Sequence, residues 1–157
     1  MRIEKAKLKD IPKIEEIYLE TVIDELRTQF PKMRKKELLR KPLLYTEKRL
    51  ESYKESIKSK KGVLLIIKEK KEIVGFGQAK VVTYDKTKAI IKKGYLLKEF
   101  RRRGWGEKLI KKIMILLKRN GIKEVDGRVF IKNKPSIKMQ EKLGFKPLVL
   151  IMNKKLK

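Results

Sequence analysis

The sequence predicts a single α/β domain with a mixed, mostly antiparallel sheet flanked by helices. Three observations predict it. Segments with apolar residues every three or four positions stand among short apolar runs bounded by turn residues. Three of those runs, between Gly62 and Leu97, follow one another with only tight turns between them, which makes an antiparallel meander. Helical patterns lie on both sides of the meander, and no linker, repeat or low-complexity block divides the chain. The expected order over residues 1–157 is β-α-α-β-β-β-α-β-α-β.

Each element has its own justification. "MRIEKAK" alternates as a strand, and Asp10 is placed to cap a helix with Pro12 in its first turn. That helix runs to about Leu26, with Ile11, Ile14, Tyr18, Val22 and Leu26 on one face. Glu16, Glu20 and Asp24 share the opposite face, as a solvated stripe or as an attraction for a cationic substrate. "FPKMRKKELLRKPLLY" is broken by Pro31 and Pro42 and reads as a loop or short helix; a second helix covers roughly Thr46 to Ser59. "GVLLIIKE" is a buried strand, and Lys70-Lys71 turns it into "EIVGFGQAKVVTY". The turn from Asp85 to Lys88 leads into "AIIKKGYLL", where Gly94 signals a bulge or a close backbone approach by a ligand. A helix then starts at about Gly104, with Trp105, Leu109, Ile113, Leu116 and Leu117 facing the core, and closes at Asn120-Gly121. "IKEVDGRVF" is a strand, "NKPSIKMQEKLG" a helix started by Asn133 and stopped by Gly144, and "FKPLVLIMNKKL" a final strand.

Composition removes several chemistries. The chain has neither Cys nor His, so a thiolate nucleophile, a zinc-thiolate site, a Ser-His-Asp triad and imidazole metal ligands are all excluded. Any catalysis must use carboxylates, Lys, Tyr, hydroxyls and backbone amides. Lys and Arg number 45 against 19 Asp and Glu, a formal net charge of +26, which favours anionic partners such as nucleic acid, phosphorylated cofactors or acidic proteins. High Lys and Glu also fit a protein from a hot environment, and the charge is open to either reading. The absence of a long apolar stretch or signal-peptide pattern leads to the expectation of a cytoplasmic protein with no membrane partner.

The most informative segment is "KEFRRRGWG", Lys98 to Gly106, between the end of a strand and the start of a helix. Unpaired N–H groups and the dipole at a helix start favour an anion, and Gly104 and Gly106 let a diphosphate approach the main chain. The spacing is neither the dinucleotide fingerprint, since Leu109 occupies the third glycine position, nor a P-loop.

"LLKEFRRRGWGEKLI" resembles the acyl-CoA-binding motif of the GNAT superfamily of N-acetyltransferases, Val-x-Pro-Glu-Tyr-Arg-Gly-x-Gly-x-Gly. Leu96 stands for Val, Lys98 for Pro, Glu99-Phe100 for Glu-Tyr, and Arg101-x-x-Gly104-x-Gly106 matches the centre. "NKPSIKMQEKLGF" is similar to the family's Asn-x-x-Ala-x-x-Leu-Tyr-x-x-x-Gly-Phe segment at Asn133, Leu143, Gly144 and Phe145, and the element order matches over almost the whole chain. The resemblance implies acetyl-CoA as co-substrate, no metal, and direct attack of an amine on the thioester in a ternary complex. It implies that amides of Arg102, Arg103, Gly104, Trp105 and Gly106 hold the pyrophosphate, with one or two of Arg101, Arg102 and Arg103 offsetting its charge and the remainder solvated. Main chain of Gly94, Tyr95 and Leu96 would pair with the pantetheine, whose entry splays the strands carrying Leu96 and Val129. Asn133 would contact the pantetheine or adenine side, and a backbone N–H near Leu96 would serve the oxyanion. Two positions depart from the family: Gln140 stands where relatives often have a Tyr acid, and Arg128 where some have a Glu base. Glu99, Asp85 and the first-helix acids remain as bases, and Tyr84 and Tyr95 as proton donors. The acceptor is an amine-bearing molecule, and a protein is one candidate. A basic module that docks nucleic acid or an acidic protein without turnover is the alternative. A monomer and a dimer are both open.

Overall fold

The computed structural model describes residues 1–154 and 156. Its strands are β1 (Arg2–Lys5), β2 (Gly62–Glu69), β3 (Glu72–Val81), β4 (Lys88–Leu96) and β5 (Glu124–Gly127). Its helices are α1 (Ile11–Gln29), α2 (Lys35–Leu44), α3 (Thr46–Lys58), α4 (Trp105–Arg119) and α5 (Lys134–Lys142). The five strands lie in the order β1-β2-β3-β4-β5, antiparallel up to β4 and parallel between β4 and β5. The β2–β3 and β3–β4 hairpins need only turns, β1 reaches β2 through α1, α2 and α3, and the parallel β4–β5 pair needs a crossover, which α4 supplies.

The period of two along β2 sorts its side chains between two cores. Val63, Leu65 and Ile67 pack with Leu109, Ile113 and Leu117 of α4, while Leu64 and Ile66 pack with Ile14 and Ile17 of α1 and Tyr53 of α3. The result is a helix–sheet–helix sandwich with β2 and β3 buried on both faces. Each fully buried Leu or Ile contributes roughly 1.5–3 kcal/mol, so this sheet anchors everything attached to its edge. A Cβ at Gly77 would sit 2.8 Å from Ile113 Cδ1 and 2.9 Å from Leu109 Cδ2, so a side chain there would push α4 off the sheet.

Four expectations need correction. Pro42 does not break the chain: α2 forms as a full helix, because a proline in its last turn forfeits one hydrogen bond with only two helical residues to follow. Asp10 does not cap α1; its carboxylate accepts the Lys7 N–H at 2.8 Å within a 3₁₀ turn before the helix. The strand expected around "IKEVDGRVF" ends at Gly127. The expected final strand is not formed: from Phe145 the described residues carry no regular structure, and Leu148, Val149, Leu150, Ile151 and Met152 are exposed. Pro147 removes one donor at its start, and Lys155, which fell within the expected strand, lies outside the described residues.

Candidate functional site

The site is built where β4 and β5 part. Their pairing runs from Lys88↔Glu124 to Ile91↔Gly127 and stops there, although β4 continues to Leu96. The far half of β4 therefore has a partner on one side only. The register with β3 skips Lys92, so the bulge lies two residues before Gly94, where the sequence had suggested it. Leu97 donates its N–H to Val74 O at 2.9 Å. Antiparallel pairs alternate, so Leu96, paired with Gly75, turns its N–H and C=O away from β3 and into the gap beside β5; Gly94, paired with Gly77, does the same. A ligand entering that gap meets a strand edge that β5 leaves open, of the kind an extended amide chain can join, with Leu96 O already bonded by the Arg101 Nε–H at 2.7 Å.

The start of α4 lies just beyond the end of that edge. Arg102 and Gly104 both take positive φ, +61° and +75°, with Arg103 between them. Such alternation curls successive N–H groups around a concavity that suits an anion. The Arg101 N–H is used by Lys98 O and the Lys108 N–H by Gly104 O, and between them the N–H groups of Arg102 to Glu107 meet no acceptor among the described residues. Gly104 carries no side-chain cap, and nothing lies within 4 Å of where its Cβ would be. The arrangement fits a diphosphate: six donors, a helix dipole and exposed Arg102 and Arg103. Glu107, the one acid in this first turn, does not oppose the anion. Lys111 and Lys142 bond its carboxylate at 2.8 and 2.9 Å and hold its pKa down at about 2. The Lys142 contact also ties α5 to α4, and Met139 comes within 3.4 Å of a Cβ at Gly106.

On the opposite face of β4, α1 brings carboxylates to the same strand end. Tyr95 donates its hydroxyl to Glu25 at 2.7 Å, and Asp24 meets the Arg101 guanidinium at 3.0 Å. Burial first, then the Glu25 charge, raises the Tyr95 pKa far above the usual phenol range, so this hydroxyl keeps its proton. Leu19, Glu20, Ile23, Asp24 and Arg27 of α1 line an open groove of about 400 Å³ with Lys35 and Leu39 of α2, two carboxylates against two cations.

The residues singled out by sequence distribute unevenly. Gly94, Tyr95, Leu96 and the Arg101–Gly106 turn converge on the strand end. Trp105 is half-buried against the α4 core, under the Lys108 ammonium at 4.4 Å. Asn133 caps α5, accepting the Ser136 N–H at 3.3 Å. Glu99 is exposed on the 3₁₀ turn after β4. Tyr84 and Asp85 are elsewhere: they sit in the β3–β4 hairpin at the other end of β4, roughly 26 Å along the strand from Leu96. Tyr84 is 88% exposed and Asp85 is occupied by Thr87 at 2.7 Å. Gln140 lies directly over Gly127, at the fork of β4 and β5, and Arg128 is exposed just after it. Sequence reasoning missed Glu25, although it adjoins Asp24, because a stripe drawn at every fourth residue passes over it. It also missed the buried Glu15–Arg49 pair beside Tyr18, Tyr53 and Lys93.

A sheet forked at its fourth strand, with a run of N–H groups unpaired among the described residues at a helix start beside the fork, is the arrangement expected from the resemblance to the acyl-CoA-binding motif. The model of the acetyltransferase (GNAT) family matches residues 19–145, and the chain belongs to that family. Three solved structures share the fold. The PaiA N-acetyltransferase from Thermoplasma acidophilum, in complex with coenzyme A, is 21% identical over 92% of this chain and 89% of its own, with a TM-score of 0.75. The aminoglycoside acetyltransferase AAC(6')-Iy, in complex with the bisubstrate analogue CoA-S-monomethyl-acetylneamine, is 15% identical over 99% and 97%, with a TM-score of 0.66. A transcriptional regulator from Bacillus halodurans is 21% identical over 99% of both chains, with a TM-score of 0.71. Among curated proteins none matches the sequence. No helix among the described residues is long and apolar enough to cross a membrane.

Proposed function

We propose that this chain is an N-acetyltransferase that moves an acetyl group from acetyl-CoA to a primary amine by direct attack in a ternary complex. The observation that carries it is the coincidence of the β4–β5 fork with the run of unpaired N–H groups from Arg102 to Glu107. The pyrophosphate sits in the α4 cradle, with Arg102 and Arg103 beside it and Asn133 near the pantetheine. The pantetheine amides join the free edge at Gly94 to Leu96. The thioester then lies at the fork, and the Leu96 N–H receives the oxyanion as the amine adds. The chain has no Cys, so no thioacyl-enzyme intervenes.

The amine arrives from the α1 side of the strand end, where Glu25 stands beside Tyr95. Glu25 or Asp24 takes its proton, directly or through water, and Glu99 is the remaining base within reach of the strand end. Tyr95 keeps its proton, which it shares with Glu25, and so is not the acid. Gln140 orients the sulfur by a hydrogen bond and supplies no proton, and the departing thiolate takes its proton from water. A thiol pKa of about 8.5 makes the thiolate a tolerable leaving group, so general acid help is useful and dispensable. Residues 1–157 act as one catalytic domain.

The test is thiol release from acetyl-CoA in the presence of a panel of amines: protein lysines, peptide N-termini, polyamines and aminoglycosides. Amine-dependent release, with acetylated product identified by mass, supports the reading; acetyl-CoA binding with no turnover on any amine class contradicts it. A second reading, a basic module that docks nucleic acid or an acidic protein, draws on the charge of +26 and on the name of the Bacillus halodurans neighbour. It calls for DNA binding with a steep salt slope in the absence of acetyl-CoA.

A further inference from the structure

Arg101 begins the basic turn, yet its side chain points away from it. Its Nε donates to Leu96 O at 2.7 Å, and Nη1 meets Asp24 Oδ2 at 3.0 Å. Leu96 O is a carbonyl to which a β5 N–H would donate in a continuous sheet; with β5 gone at Gly127 it needs another donor. Arg101 supplies it from only five residues downstream, and its other arm reaches across to α1. Arg102 and Arg103 are exposed, while the Arg101 side chain is 35% exposed between strand and helix. A planar fork that binds a carbonyl and a carboxylate at once has a fixed orientation that a lysine cannot reproduce.

We propose that Arg101 is a positioning residue, a brace that fixes the peptide of Leu96 against α1, and not a phosphate ligand. The held carbonyl belongs to the Leu96–Leu97 peptide, so the brace restrains the backbone at Leu96 and through it the neighbouring Leu96 N–H that faces the fork. The acid-bearing end of α1 keeps its distance from the transfer point. The inference rests on the acetyl-transfer reading above, but the brace itself exists without cofactor and is measurable there.

The experiment has two arms. In the ligand-free protein, the Arg101 Nε–H resonance should be protected from solvent exchange, and Asp24→Asn should cut that protection at least tenfold. An Arg101 Nε–H that exchanges as fast as those of Arg102 and Arg103 overturns the brace whether or not acetyl-CoA binds. In the second arm, Arg101→Met and Arg101→Lys, checked for an unchanged fold by thermal melting, are compared with wild type for acetyl-CoA Kd and for kcat. The brace gives a Kd within about threefold of wild type and a kcat at least tenfold lower in both variants. A Kd raised tenfold or more in Arg101→Met, restored by Arg101→Lys with kcat unchanged, makes Arg101 a phosphate ligand and overturns the inference. Wild type that binds no acetyl-CoA sinks the transfer reading instead, and the exchange measurement then decides the brace alone.

Discussion

Lys93 stands on β4 with its ammonium 4.3 Å from the Tyr18 ring centre and 5.5 Å from that of Tyr53, beside the buried Glu15–Arg49 pair. Burial, then the Arg49 charge, pushes its pKa down to about 8. An unfolded lysine titrates near 10.4, so between about pH 8 and 10.4 the unfolded chain binds more proton and folding stability rises with pH. Below pH 8 both states are protonated and the burden on the fold is constant. The stability of wild type minus that of Lys93→Met, from denaturant unfolding, should therefore increase between pH 8 and 10; a flat difference would contradict the burial argument. Breaking the neighbouring pair is costlier. Arg49→Met strands a buried carboxylate and should destabilise by about 3–5 kcal/mol, and adding Glu15→Leu should recover part of the loss. The pair was illegible in sequence because its members are 34 positions apart. The only local sign was Glu15 itself, a carboxylate inside the apolar stripe between Ile14 and Tyr18.

Elements were legible where periodicity and turn chemistry agreed. The meander, α1, α3 and α4 all follow from patterns that admit one reading, and the glycines at 104, 121 and 144 take the positive φ their positions demand. The tail misled because five consecutive apolar residues spell a buried strand only if an edge receives them, and sequence does not state which edges are available. The cradle was legible as chemistry and its direction was not: the fork that aims it depends on where β5 stops. At this scale the decisive element is the α4 start. Gly104→Ala, forced into φ +75°, should cost about 1–2 kcal/mol with acetyl-CoA affinity little changed. Gly104→Glu adds a carboxylate to the concavity, and calorimetry should give an acetyl-CoA Kd at least tenfold above that of the Ala variant. Equal affinities for the two variants would place the anion elsewhere.

For the molecule as a whole, the charge of +26 surrounds a transfer point that is locally acidic on its α1 side. The global field draws in the phosphates of the cofactor and works against polycations, whereas the Glu25 carboxylate at the strand end suits a single ammonium. Acetyl-CoA binding should weaken severalfold from low to high salt, and an amine carried on a neutral or acidic macromolecule should be turned over faster than free spermidine. A polyamine far better than any protein or peptide acceptor would overturn that ranking. The central claim, that one fork and one helix start form a single cofactor site, is tested most directly by backbone amide NMR during an acetyl-CoA titration. The largest shifts should fall on Arg102 to Glu107 and on Gly94 and Leu96, with Tyr84 and the β3–β4 hairpin unmoved. Shifts confined to another surface, or none at millimolar acetyl-CoA, would contradict the account.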